Sequence, residues 1–257
     1  MNPPAGRALL DGKVVVVTAA AGTGIGSAVA QRCLAEGARV VLSDHHTRRL
    51  EETRERLAAG HGADRVRAMP CDVTDEAAVR ALIAAAVDSF GRLDVMINNA
   101  GLGGRASVVE MTDEQWYHVL DVTLTGTFRG TRAALRQMLA QGGGGAVVNN
   151  ASVLGWRAQR EQAHYAAAKA GVMALTRCAA LDVAEHGIRV NAVAPSIATH
   201  PFLAKAAGAD LLAELSAREA FGRAAQPWEV ATVMVFLASD YASYLTGEVI
   251  SVSSQHP

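Results

Sequence analysis

Apolar runs and helical patterns alternate along the whole of this 257-residue chain. Residues 13–18 (KVVVVT) form a continuous β-branched run, the pattern of a strand covered on both faces. The spacing predicts a helix over 27–36, stopped by Gly37. Further strands are expected over 38–44, 65–72, 93–98, 146–152, 188–193 and 248–252. Helices are expected over 47–59, 75–90, 112–141, 165–185 and 228–237. The helix over 112–141 is long enough to break near Gly126, and the QGGGG run at 141–145 reads as a flexible surface connector. Strand–helix–strand repetition without a break in composition predicts one α/β domain over 1–257. Its core is a doubly wound parallel sheet flanked by helices on both faces. The stretch 195–226 is too long for an ordinary connection and reads as a substrate loop or lid.

Other classes fall on composition. Half of the residues are hydrophobic, and 24 Lys and Arg nearly cancel 25 Asp and Glu. That balance excludes a disordered chain and provides no strongly basic face for nucleic acid. No stretch approaches the ~20 apolar residues of a membrane helix, and residues 1–10 lack the apolar run of a secretory signal. Cys33, Cys71 and Cys178 are odd in number and widely spaced, which suits neither a disulfide framework nor a zinc site. The expectation is a cytoplasmic protein with no metal, no membrane association and no nucleic-acid partner.

After the first strand comes Thr18-Ala19-Ala20-Ala21-Gly22-Thr23-Gly24-Ile25-Gly26, and then a helix. Glycines in that context let the backbone approach a pyrophosphate, while the helix N-terminus supplies N–H groups and partial positive charge. Asp44 lies 22 residues beyond Gly22 at the end of the second strand. A carboxylate there accepts from an adenosine ribose and repels a 2′-phosphate, which favours NAD over NADP. His45, His46, Arg48 and Arg49 follow at once. They either oppose that preference, by neutralising Asp44 or clamping a phosphate, or form a solvated first helical turn.

Tyr165 and Lys169 stand four residues apart on a predicted helix and share one face. A phenol titrates near pH 10, so proton transfer at neutral pH is aided by a neighbouring ammonium that stabilises the phenolate. Ser152 ends the fifth strand, at the carboxyl edge where sites of parallel sheets form.

Together these pieces resemble the short-chain dehydrogenase/reductase family over essentially the whole chain. The matching residues are Thr18–Gly26, Asp72-Val73, Asn98-Asn99-Ala100-Gly101, Ser152, Tyr165 with Lys169, and Val190 to Pro195. The resemblance implies a Rossmann-type fold and an NAD(P)-dependent oxidoreductase interconverting a secondary alcohol and a ketone. It implies Tyr165 as general acid/base, Lys169 as the group that lowers its pKa and holds the nicotinamide ribose, and Ser152 as the residue orienting the substrate oxygen. It implies cofactor contacts at Thr18, Ala19, Gly22, Gly24, Ile25, Gly26, Asp44, Asp72 and Val73 on the adenosine and pyrophosphate side. Asn99, Ala100 and Gly101 would floor the cofactor site, and Pro195 and Ile197 would meet the nicotinamide. A homotetramer is the usual family assembly.

The chain departs from the family pattern at Ala19, where a glycine is usual, and at Thr123, where an Asn normally holds a proton-relay water. It departs again at Ser196, which follows Pro195 in place of Gly, and at Ser253-Ser254. Between Ser152 and Tyr165 lie Trp156, Arg157, Arg160 and His164, placed to line a substrate entrance. Arg157 and Arg160 suit a carboxylate or the phosphates of an acyl-CoA, and His164 is a further substrate-binding candidate; a solvated loop and a packed histidine are the alternatives. Residues 18–26, 43–46, 149–159 and 246–257 resemble actinobacterial dehydrogenases of steroid ring C/D breakdown, which implies a bicyclic indane acid carried as a coenzyme A thioester. Two alternatives remain: a 3-oxoacyl thioester reductase using NADPH, and a non-catalytic cofactor-binding protein.

Overall fold

The computed structural model describes residues 3–199 and 209–254. Seven strands form one parallel sheet: β1 (Val14–Val17), β2 (Arg39–Asp44), β3 (Val66–Pro70), β4 (Val95–Asn98), β5 (Gly145–Asn150), β6 (Ile188–Pro195) and β7 (Val249–Val252). Their spatial order is β3-β2-β1-β4-β5-β6-β7. Direction of travel across the sheet reverses between β1 and β4, and ligands of such sheets bind at the carboxyl ends beside that point.

The four valines of β1 explain why the sheet is covered twice. Val15 and Val17 point into one core with Val29, Val40, Leu42, Ile97 and Met234. Val14 and Val16 point into the other with Val41, Leu82, Met96, Met138 and Val190. Side chains alternate across a strand, so a continuous apolar run needs helices on both sides. On the first face lie α1 (Ile25–Ala35), α2 (Thr47–His61) and α8 (Pro227–Ala238). On the second lie α3 (Glu76–Phe90), α5 (Gly126–Gln141) and α6 (Ala163–Val183).

The pattern over 112–141 resolves into three parts. Thr112 and Gln115 form a capping box that starts α4 (Asp113–Leu120). One π-helical turn, Asp121–Thr125, then leads straight into α5. The helix therefore widens before Gly126 rather than breaking there, and such π turns collect at functional sites. The excursion after β6 is closed at its base: Ala225 N–H donates to Ile197 O and Thr199 N–H to Ala225 O, each at 2.9 Å. Its described part holds α7 (Ala209–Ala217); residues 200–208 of the expected substrate loop lie outside the described residues. No helix among the described residues is long and apolar enough to cross a membrane.

A buried amide and hydroxyl cluster locks the sheet to the helices beneath the site. Asn98 Nδ2 donates to Asn149 Oδ1 at 2.9 Å and to Thr131 Oγ1 at 3.1 Å. Asn149 Nδ2 donates to Thr176 Oγ1 at 3.0 Å. Satisfied networks of this kind fix one arrangement, and here they hold α5 and α6 against β4 and β5. Tyr165 and Lys169 ride on α6.

Candidate active site

The glycine turn starts where β1 ends. Thr18 Oγ1 accepts from the N–H groups of Asn99 and Ala100, both at 3.0 Å, tying the turn to the loop after β4. Gly22 takes φ +82°, and a Cβ at Gly22 or Gly24 would meet nothing within 4 Å, so this part of the turn is open. Gly26 is the reverse case. A Cβ there would lie 2.2 Å from the Ala19 carbonyl oxygen and 2.5 Å from Asn99 Nδ2, so only glycine lets α1 start this close. The N-terminus of α1 has no side-chain cap. Its first N–H groups and its partial positive charge are available to an anion. An open glycine surface beside an uncapped helix start fits a dinucleotide pyrophosphate.

Two features of the turn were not legible in the sequence. Gly22 N–H donates to Thr53 Oγ1 at 2.9 Å, so Gly22 contributes close approach and no free donor. Arg56 Nη2 donates to Ser27 Oγ at 2.8 Å and to Gly22 O at 3.4 Å, placing a guanidinium beside the turn. Both residues lie on α2, more than 25 residues away in the chain, and no motif marks them.

Asp44 is buried at the end of β2. Its Oδ1 accepts from His46 N–H at 2.9 Å and its Oδ2 from Ala21 N–H at 3.2 Å. These bonds orient the carboxylate and leave lone pairs for a hydroxyl. Arg48 and Arg49 are exposed, and Arg48 pairs with Glu52 at 3.8 Å. The Asp72 carboxylate is taken up locally: it accepts from Thr74 N–H at 2.9 Å and Thr74 Oγ1 at 2.7 Å, which hold it below its ordinary range. Val73 is buried, with its side chain against Gly126.

Ser152, Tyr165 and Lys169 come together at the carboxyl end of β5. Ser152 is buried, and its Oγ accepts from Leu154 N–H at 3.2 Å. Burial pushes the Tyr165 phenol above its ordinary range, and a hydrogen bond from Ser152 opposes that rise. Lys169 is buried; its Nζ donates to the Asn150 carbonyl at 2.5 Å and lies 5.5 Å from the Tyr165 ring centroid. Burial alone pushes the Lys169 ammonium down to about 7. The expected lowering of the tyrosine by its lysine is thus absent in the protein alone. Desolvation sets the direction for both groups. Pro195 is buried at the end of β6, and Ile197 follows it, half-buried.

Thr123, fully buried in the π turn, does what an amide need not do. Its Oγ1 donates to Leu102 O at 3.0 Å and accepts from Leu102 N–H at 3.1 Å. It pins the loop that follows Gly101, where a Cβ would stand 3.3 Å from Lys169 Nζ. The same loop is tied to the segment before α6. Gln162 Nε2 donates to Gly104 O at 2.6 Å, and Arg105 pairs with Glu161 at 2.8 Å. Trp156 and Arg160 are exposed and Arg157 is half-buried. His164 takes the packed alternative: it is buried, with Nε2 beside Gly104, and burial lowers its pKa. It packs under the loop instead of lining an opening.

An uncapped glycine turn at the sheet's reversal point, with a buried serine and lysine and a half-buried tyrosine beside it, defines a nucleotide-dependent oxidoreductase site. The family model described as enoyl-(acyl carrier protein) reductase matches residues 19–254. The chain belongs to the short-chain dehydrogenase/reductase family and is an NAD(P)-dependent oxidoreductase acting on CH–OH groups. It is 67% identical over 253 residues to the Mycobacterium tuberculosis (5R,7aS)-5-hydroxy-7a-methyl-1-oxo-2,3,5,6,7,7a-hexahydro-1H-indene-carboxyl-CoA reductase, covering 98% of this chain and 96% of that protein. It is 44% identical to cis-4-hydroxycyclohexanecarboxylate dehydrogenase of Sinomonas cyclohexanicum, covering 93% of this chain and 94% of that one. Among solved structures, a short chain dehydrogenase from Mycobacterium smegmatis is 59% identical with a TM-score of 0.89, covering 100% of this chain and 98% of that one.

Proposed function

We propose that this protein interconverts a hydroxyl and a keto group on a bicyclic indane acid carried as a coenzyme A thioester, with NAD(H) as its cofactor. The observation that carries the chemistry is the meeting of buried Ser152 and Lys169 with the half-buried Tyr165, hydrogen-bonded to Ser152, near an open glycine turn. The substrate follows from the reductase that is 67% identical over nearly the full length.

When bound, the nicotinamide gives or takes a hydride. Thr18, Ala19, Gly22, Gly24, Ile25 and Gly26 would hold the pyrophosphate, Asp44 the adenosine ribose, and Asp72 and Val73 the adenine. Asn99, Ala100, Gly101, Pro195 and Ile197 would line the nicotinamide half. Tyr165 moves a proton at the substrate oxygen, and Ser152 Oγ, already bonded to that phenol, orients the same oxygen. Lys169 holds the nicotinamide ribose. In its protonated form Lys169 stabilises the phenolate. Arg157 and Arg160 meet the anionic part of the thioester. Asp44 favours NAD over NADP, supported by its buried carboxylate, which the His46 and Ala21 N–H groups orient.

The protein works in the cytoplasm as a homotetramer. Exposed Tyr117, Phe128 and Leu181 on α4, α5 and α6 support burial against a second copy. The test is nicotinamide absorbance with the hydroxy-indane acyl-CoA, its free acid and a neutral cyclic ketone. The reading requires turnover of the thioester at least tenfold above the neutral ketone, and Arg157→Ala and Arg160→Ala should erode that margin through KM. Equal rates on all three substrates would remove the thioester from the proposal.

A further inference from the structure

Asn150 ends β5, two residues before Ser152. Its backbone carbonyl accepts from Lys169 Nζ at 2.5 Å. Its side chain turns the other way, and Nδ2 donates to Asn99 Oδ1 at 2.9 Å. Asn99 Nδ2 in turn donates to the carbonyls of Thr18 at 3.2 Å and Ala19 at 3.1 Å. Two sets of hydrogen bonds therefore meet at residue 150: its carbonyl holds the lysine, and its side chain leads through Asn99 to the start of the glycine turn.

The far end of that side-chain path is a strained residue. Ala19 takes φ +49°, a left-handed conformation that L residues other than Asn and Asp seldom hold. Ala19 has no Cβ-free backbone to relax with, so its carbonyl must be held from outside. Stability of β5 gives no reason for an amide at 150. Asn150 Oδ1 is buried without a hydrogen-bond partner. A buried orphan acceptor costs more than one ordinary hydrogen bond returns. A β-branched apolar residue would suit the end of a strand better.

We propose that Asn150 is a positioning residue that holds Asn99, and through it Ala19, in the conformation that binds the cofactor pyrophosphate. It couples the proton-transfer side of the site to the phosphate side without touching substrate. The inference rests on a nicotinamide nucleotide binding at the glycine turn.

The test is Asn150→Val, which keeps the backbone carbonyl that anchors Lys169 and removes only the amide. Asn150→Ser serves as a second, smaller variant. Dissociation constants for NADH and NADPH are measured by fluorescence, and thermal midpoints are recorded without cofactor. Loss of one buried bond should raise the dissociation constant of the preferred nucleotide roughly fivefold to tenfold. The cofactor-free midpoint should stay level or rise. In an Ala19→Gly background the same Asn150→Val change should raise the constant less than about twofold, because glycine holds a positive φ unaided.

A dissociation constant unchanged by Asn150→Val overturns the proposal, and so does an equal loss in both backgrounds. If neither variant at position 150 folds, the residue is structural and the proposal falls. A wild-type protein that binds neither nucleotide overturns the cofactor reading itself, a different result from variants that bind as wild type does.

Discussion

Lys169→Met should make the pH dependence of stability visible at a single buried group. Lys169 is 3% exposed, with its Nζ on one carbonyl. Burial moves its pKa from 10.5 to about 7. A base with a depressed folded pKa destabilises the fold wherever the unfolded chain holds the proton. Between pH 7 and 10.5 the unfolded state binds more protons, so wild-type stability rises with pH. Below about pH 7 both states carry the proton and the full penalty is present. The slope approaches about 1.4 kcal/mol per pH unit inside that window. From pH 7 to 9.5 the wild type should therefore gain about 3 kcal/mol relative to Lys169→Met, which has nothing to titrate there. The upper limit stays below the raised Tyr165 phenol. The assay is urea unfolding of both proteins at several pH values and one fixed protomer concentration, because assembly contributes to apparent stability. All other groups cancel in the difference. A difference that is flat in pH would show that Lys169 stays charged in the fold, and one that grows in favour of Met as pH rises would reverse the sign of the reasoning.

Tyr165→Phe keeps the ring and removes the proton, so kcat should fall roughly 10²–10⁴-fold with the NADH dissociation constant little changed; turnover above a tenth of wild type would remove Tyr165 from its role. Gly26→Ala puts a methyl 2.2 Å from the Ala19 carbonyl, and overpacking against backbone should lower stability by about 1–3 kcal/mol and weaken cofactor binding, read by thermal unfolding and fluorescence titration. For Asp44, kcat/KM with NAD should exceed that with NADP at least tenfold, and Asp44→Ala should narrow the ratio as Arg48 and Arg49 lose the opposing carboxylate. An unmodified protein that prefers NADP would refute it.

Elements with a strong period were legible in the sequence; contacts between distant elements were not. The valines at 14–17 announce a doubly covered strand because alternation leaves no polar face. The tyrosine and lysine share a face because helical spacing requires it. The same spacing says nothing of burial, and burial decides the charge state of both groups. That is why a lowered phenol was expected and a lowered lysine was found. Near Gly126, where a break was expected, the helix makes a π turn, and Thr123 inside it is bonded in both directions to Leu102. Position 123 was marked in the sequence only as the place where an Asn is usual, with no sign that a hydroxyl there would hold the neighbouring loop. His164 was read from its neighbours in sequence, whereas its surroundings are set by Gly104, sixty residues away.

Strand order is the missing quantity that ties these cases together. Thr18, Asp44, Asn98 and Asn150 each close a strand or follow one directly, so alternation alone places them all at one edge of a parallel sheet. It does not say which are neighbours. Only the order β2-β1-β4-β5 brings Thr18 against Asn99 across 81 residues and Asn99 against Asn150 across 51. Likewise α2 reaches the glycine turn because β2 lies beside β1, which brings Thr53 and Arg56 onto Gly22. Residues that do chemistry through their own type and local spacing can therefore be found in one dimension. Residues that hold them in place are chosen by neighbouring strands and become visible only when the sheet is assembled.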